Sequence, residues 1–373
     1  MSDTYNEKEI KKLGFGLMRL PMAGKEIDIK QVEQMVDRFM EAGFTYFDTA
    51  YVYHNGLSEG IAKEAIVKRY PRESFQLATK MPLWEVKQPE DLQRLFDIQL
   101  ERSGAGYFDY YLLHAMDKQR AENAEKMKIW EFGLEMKEKG LVKHLGFSFH
   151  DSAEVLDDIL TKHPEAEFVQ LQINYADWEN KEVQSRLCYE VARKHNKPII
   201  IMEPIKGGSL AGMRPELQEM FKKEEPDLSI ASWAVRYAAS LEGVFMVLSG
   251  MSNMEQMEDN LSYMKEFKPL SEKEHGIIKT VVEELDKVDT IPCTRCKYCV
   301  DDCPQKINIP EVFHTVNNFR IYQNITSAKS NYMWVTAEGG KAADCIACGS
   351  CESHCPQHIA IIDNLKSADV LFK

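Results

Sequence analysis

The stretch FVQLQINYADWENKEVQSRLCYEVARKHNKPIIIMEP (168–204) holds two short apolar runs separated by an amphipathic segment. FVQLQINY and PIIIMEP are too short to read as helices. They are nearly continuous in apolar residues, as strands covered on both faces of a parallel sheet must be. Between them, KEVQSRLCYEVARKHN repeats its apolar residues at helical spacing. Strand, helix, strand is the unit that builds parallel sheets, because a parallel partner can be reached only by a long crossover. Working outward, the same kind of run appears at LGFGLMRL (13–20), TYFDTA (45–50), FQLATK (75–80), FDYYLLH (108–114), VKHLGFSF (142–149) and VFMVLSG (244–250).

The intervals have helical patterns with start and stop signals. IDIKQVEQMVDRFMEAG ends at Gly43, and PEDLQRLFDIQLERSG opens on Pro89 and closes at Gly104. AEKMKIWEFGLEMKEKG, SAEVLDDILTKH and LSIASWAVRYAAS follow the same plan. Eight strand–helix units in about 250 residues is the size of an α/β TIM barrel, (β/α)8. An open doubly wound sheet is the alternative. It usually has fewer strands, and no G-x-G-x-x-G follows the first strand.

The chain has 373 residues, 44% hydrophobic and 28% charged, with a net charge of −13. That is enough for a sizeable core and a second domain. The acidic balance argues against a nucleic-acid partner, which attracts basic faces. The opening MSDTYNEKEIKKLG has no apolar signal core, and no run of eighteen apolar residues appears. The expectation is a cytoplasmic protein with no membrane partner.

After Asn260 the pattern changes. LSYMKEFKPLSEKEHGIIKTVVEELDKV reads as helix, and a domain boundary is expected near 270–290, giving a barrel at 1–275 and a small, mainly α-helical domain at 276–373. Eight of the nine cysteines lie there. Cys293, Cys296, Cys299 and Cys303 precede Pro304, and Cys345, Cys348, Cys351 and Cys355 precede Pro356. Both groups read C-x2-C-x2-C-x3-C-P. Three thiolates on a tight loop can cap three corners of an iron–sulfur cube, and the fourth reaches outward. Zinc normally takes two C-x2-C pairs and suits this repeat badly. Two [4Fe-4S] clusters are expected. The ~40 residues between the groups are helical in pattern, and the region resembles dicluster ferredoxin domains. The resemblance implies exchanged ligands: Cys293, Cys296, Cys299 and Cys355 for one cluster, Cys345, Cys348, Cys351 and Cys303 for the other. Cys188 falls in a helical pattern and reads as a small buried residue.

In a TIM barrel the chemistry sits at the C-terminal strand ends. Asp48 ends the second run and Tyr53 follows it; Lys80 ends the third and His114 the fourth. Hydride reduction of a carbonyl leaves an alkoxide that needs a proton. A tyrosine can supply it if a nearby lysine cation lowers its pKa from about 10. An aspartate can hold that lysine, and a histidine can orient the carbonyl oxygen. Singly, each has a plain reading: a helix cap, a solvated strand end, a core histidine.

LGFGLMRLP, FDTAYVYHNGLSEGIAKEAI, LATK, YYLLH and the G-F-S run at 146–148 resemble the aldo-keto reductase superfamily over about residues 10 to 265. The resemblance implies Asp48, Tyr53, Lys80 and His114 as a catalytic tetrad with Tyr53 as general acid. It implies a dinucleotide, NADPH or NADH, lying across the barrel mouth. Ser148 and Gln172 match its nicotinamide carboxamide contacts, although Phe149 and His150 follow where an asparagine is usual. Met202 stands where an aromatic residue often stacks on the nicotinamide. In PIKGGSL, Lys206 matches a pyrophosphate contact. In SGMSNMEQMEDN, Gln256, Asp259 and Asn260 match the adenosine site, while Gly250 and Gln256 stand where NADPH-requiring members place Lys and Arg. Trp84, Tyr51, His54 and Trp178 are weaker candidates for the substrate pocket.

Three readings of the whole follow. The barrel reduces small carbonyl substrates and the clusters are structural or dock a partner. Alternatively, the clusters feed or drain the barrel's active site through a bound flavin or a radical substrate, with a ferredoxin or other redox protein as partner, since passing electrons between a hydride carrier and a cluster normally needs a two-to-one-electron converter. In the third, the barrel is silent and the protein only carries electrons.

Overall fold

The computed structural model describes residues 10–373. The N-terminal reading above falls largely on residues 1–9, outside the described residues. Eight parallel strands close into a barrel: β1 Leu13–Gly16, β2 Tyr46–Asp48, β3 Gln76–Met81, β4 Phe108–Met116, β5 Val142–Phe149, β6 Phe168–Gln172, β7 Ile199–Met202 and β8 Val244–Ser249. Each pairs with its successor in the chain, and β8 returns to β1 through Leu13↔Val247. All eight apolar runs therefore became strands. Because the strands are parallel, their C-terminal ends share one rim, which collects Asp48, Lys80, His114 and Gln172. Tyr46, Tyr110, Phe168 and Phe245 fill the barrel interior with Ile200 and Met246, so it is packed rather than hollow.

The helical intervals also formed, with one difference. AEKMKIWEFGLEMKEKG, which reads as one continuous pattern, belongs to two helices, Lys118–Met127 and Ile129–Glu138. Lys128 between them adopts a left-handed conformation (φ 57°) and its amide caps the first helix on Ala124 and Glu125.

Two compact units emerge: residues 1–205 with 232–271, and residues 206–231 with 272–373. The first holds all eight strands. The second is helical, with helices Pro215–Glu224, Glu272–Leu285, Ile309–Tyr322, Ile325–Val335 and Ile361–Phe372. The segment before Ser232 that joins it was not separable by composition. Its turn Lys206–Ala211 is tied to the helix Ile325–Val335. Asn324 Nδ2 donates to Gly208 O (3.0 Å), and Ser327 Oγ donates to Gly207 O (3.3 Å). The core of the helical unit combines Ile307, Val312, Phe313 and Leu365 with the sulfurs of Cys299 and Cys351.

Gly340 pairs in parallel with Ile307, bridging the segments that follow the first cysteine group and precede the second. A Cβ on Gly340 would intrude on the Gln305 carbonyl oxygen, a backbone atom that cannot swing away. Gly340→Ala is expected to cost about 1–3 kcal/mol. Chemical denaturation of the cluster-loaded protein, followed by far-UV circular dichroism, measures it. An unchanged midpoint would mean that this bridge yields easily.

Candidate active site and metal centre

Lys80 and Asp48 are both buried at the rim of the barrel, and Lys80 Nζ donates to Asp48 Oδ1 (2.6 Å) and to the Thr49 carbonyl (2.7 Å). Two strand ends thereby fix one ammonium. Burial alone would lower the Lys80 pKa, but Asp48, then Tyr53, outweigh it and hold it above the ordinary lysine value. The lysine stays charged. Its ammonium lies 4.9 Å from the centre of the Tyr53 ring. Tyr53 opens the short turn Tyr53–Gly56, in which His54 and Asn55 have positive φ.

Burial raises the Tyr53 pKa, and Lys80 opposes the rise without cancelling it, while Asp48 and Glu203 add to it. The expected lowering of this tyrosine by the lysine is therefore present as a contribution but does not set the net direction. The Tyr53 and His114 rings stand edge to face, 6.2 Å apart. His114 is held neutral: burial, then the charge of Lys80, push its pKa well below 6.5. Its Nδ1 is buried without a hydrogen-bond partner among the described residues.

The position of His114 has a backbone cause. The β4–β5 register slips between Leu113 and Met116, so three residues of β4 span two of β5. Ala115 takes up the slack in a left-handed conformation (φ 54°), and its amide donates to Ser148 Oγ (2.7 Å). Bulges of this kind re-aim side chains beside functional sites. Behind β3, Glu59 is fully buried, accepting from Thr79 Oγ1 (2.7 Å) and Gln99 Nε2 (2.8 Å); Gln99 also donates to the Lys80 carbonyl (3.0 Å).

Other candidates divide. Gln172 Nε2 lies 3.5 Å from Asp177 Oδ2, and Met202 Sδ accepts from Gln170 Nε2 (3.4 Å). Gln256 caps the turn before its helix by accepting from Ser252 N (2.8 Å). Asp259 is half-buried one turn further on. Asn260 is buried, donating to Ser249 Oγ (2.7 Å) and accepting from Tyr263 Oη. Lys206 belongs to the helical unit. Trp84 comes to 5.0 Å from the His114 ring. Tyr51 lies under the Arg102 guanidinium, His54 accepts from the Leu20 amide, and Trp178 packs on Tyr189 and Tyr237. Sequence reasoning passed over Thr49, Arg120 and Glu203 and gave His150 no role. Their common signal is position, within a few residues of a strand's C-terminal end.

The cysteine loops are built twice to one plan. Arg295, Lys297 and Lys306 have positive φ, and so do Ala347, Gly349 and His358 at the equivalent places. Cys299 and Cys351 each lie on a four-residue helix, Tyr298–Asp301 and Ser350–Ser353. One hollow is lined by Cys293, Cys296, Cys299 and Cys355, and a second by Cys303, Cys345, Cys348 and Cys351. All nine cysteines are free of disulfides. Among the described residues no three His, Cys, Asp or Glu side chains converge on a single-ion site. Four thiols spread around an apolar hollow suit a multi-atom cluster better than one zinc ion. Cys188 is buried and its thiol is pushed up to about 12 by burial.

Comparison with known proteins agrees with this geometry. The profile of the aldo/keto reductase family matches residues 12–283, and that of a 4Fe-4S dicluster domain matches 292–360. A Trypanosoma cruzi 9,11-endoperoxide prostaglandin H2 reductase is 26% identical over 62% of this chain and 77% of its own length. An uncharacterized oxidoreductase of Bacillus subtilis, YqkF, is 24% identical over 69% and 88%. Others match over about half their length, such as an aldo-keto reductase of Bombyx mori (26% identity, 51% of that protein). Among solved structures, a Klebsiella pneumoniae aldo-keto reductase in complex with NADPH superposes with a TM-score of 0.60 at 17% identity, covering 73% of this chain and 91% of its own. At that identity it shows the fold. The chain belongs to the aldo/keto reductase family and is an oxidoreductase of that type, followed by a 4Fe-4S dicluster domain. Among the described residues no helix is long and apolar enough to cross a membrane.

Proposed function

We propose that the chain reduces an aldehyde or ketone with NAD(P)H at the mouth of its barrel, with Tyr53 as the general acid. The observation that carries this is the buried Lys80–Asp48 pair set against Tyr53 and a neutral His114. The dinucleotide supplies the hydride. His114 donates a hydrogen bond to the carbonyl oxygen and orients it. As negative charge grows on that oxygen, Tyr53 gives up its proton, and the fixed Lys80 charge stabilises the phenolate left behind. Asp48 keeps Lys80 charged and in place. Ser148, Gln172, Met202, Gln256, Asp259 and Asn260 are assigned to the dinucleotide, with Lys206 as the phosphate contact. Ser148 retains its hydroxyl proton after accepting from Ala115, which suits a carboxamide oxygen.

Along the chain we assign the reductase region to 1–275, including the segment 206–231 that folds with the helical unit, and the cluster-bearing region to 276–373. Two clusters are assigned, one to each four-cysteine hollow, and they supply one-electron exchange. Exposure of Cys296 and Cys348 favours a second reading in which a ferredoxin or other redox protein meets the clusters.

An anaerobic screen of NADH and NADPH against aldehydes and ketones tests the reading, with iron and flavin measured on the same sample. No turnover with any carbonyl would overturn it. The profile of kcat/KM for reduction is expected to be flat through neutrality, from about pH 7 to 9. His114 is depressed below the first value and so is already neutral; Tyr53 is raised above the second and so is still protonated. An inflection near neutrality would place one of these pKa values elsewhere.

A further inference from the structure

Arg120 lies in the first turn of the helix after β4. Its Nη1 donates to the Ala115 carbonyl and to Asp117 Oδ2, both at 2.7 Å. Its guanidinium carbon stands 5.8 Å from the centre of the Trp84 ring. The Trp84 ring in turn lies 5.0 Å from His114. The cation is close enough to His114 and His150 to help lower both their pKa values, after burial. Three neighbours therefore fix the head group, one of them the residue next to His114 and another the ring packed against it. Nε and Nη2 have no hydrogen-bond partner among the described residues.

A surface arginine that only ties down a loop has no need to reach the reaction centre. This one stands beside it, in a chain whose net charge of −13 repels anions elsewhere. Guanidinium nitrogens left unspent beside a site match a carboxylate, which takes two parallel hydrogen bonds. Asp117 already occupies Nη1, so the Nε and Nη2 edge is the one available.

We propose that Arg120 selects carbonyl substrates that carry a carboxylate. The inference rests on the reductase reading above. The aromatic rings of Trp84 and Tyr53 both lie beside His114, so an aryl aldehyde acid is a suitable probe. The carboxylate pairs with Arg120 while the aldehyde carbon receives the hydride and the aldehyde oxygen the proton of Tyr53.

The test compares 4-carboxybenzaldehyde with 4-methylbenzaldehyde, which differ in charge at one end. The protein should favour the acid in kcat/KM by about 10- to 100-fold. Added salt should raise KM for the acid alone, a measurement that needs no variant. Arg120→Gln should collapse the ratio, and Arg120→Lys should restore part of it. Turnover of both aldehydes without preference, or a ratio unmoved by Arg120→Gln, overturns the proposal. If neither aldehyde is reduced, the wider carbonyl screen judges the reductase reading, and titration of tryptophan fluorescence with terephthalate decides the present one. Saturable binding lost in Arg120→Gln supports it, and no binding overturns it.

Discussion

Tyr53→Phe is expected to lower kcat and kcat/KM for carbonyl reduction together, by about a hundred- to ten-thousandfold, the range for a lost general acid. The phenyl ring keeps the edge-to-face packing on His114, so the fold and dinucleotide affinity should hold. What disappears is the proton donor that the buried Lys80 charge is aimed at. Fluorescence titration with NADPH separates the two effects: an unchanged Kd with a collapsed kcat is the expected pair. Unchanged turnover would remove Tyr53 from the chemistry. Lys80 loses a partner that helps raise its own pKa, while Asp48 still holds it charged.

The second large effect concerns iron. If the thiols act as the two hollows group them, Cys355→Ser removes the cluster of the first cysteine group even though Cys355 belongs to the second. The variant should keep about half its iron. Adding Cys296→Ser should cost no more, because that cluster is already gone. Adding Cys348→Ser should remove nearly all the remainder. Ligation within each sequence group gives the reverse pattern, so iron analysis of the two double variants, purified anaerobically, decides between them.

Much of this was legible in the sequence, for identifiable reasons. A barrel strand is buried on both faces, so VKHLGFSF and its seven counterparts are continuous apolar runs whose length marks them as strands. The cysteine spacing is equally direct, since three thiolates that cap one cluster must sit on one short loop. Lys80 and Asp48 could be found because parallel strands bring all their C-terminal ends to one rim. What stayed hidden depends on backbone detail. Nothing in the residue types of Lys128 or Ala115 announces a positive φ, so the broken helix and the bulge beneath His114 were invisible. The hairpin Met22–Ala23 with Glu26–Ile27 is too short to show a period. Arg120 reads as one more charged residue in a helix until the fold puts it beside Trp84. The pKa direction of Tyr53 was legible only in part, because a sequence names the lysine but not the depth of burial.

The turn held by Asn324 and Ser327 bears on how the chain is made. Its residues leave the ribosome well before the helix that satisfies the Gly207 and Gly208 carbonyls. The stretch 232–271, which carries β8 and completes the barrel, is synthesised in between. Residues 206–231 therefore wait, half-built, while the barrel closes around its last strand, and they find their partners only when the C-terminal helices emerge. Nascent chains of this protein must tolerate that open excursion. A chain stopped at residue 275 would retain it permanently, with two backbone carbonyls stripped of their donors.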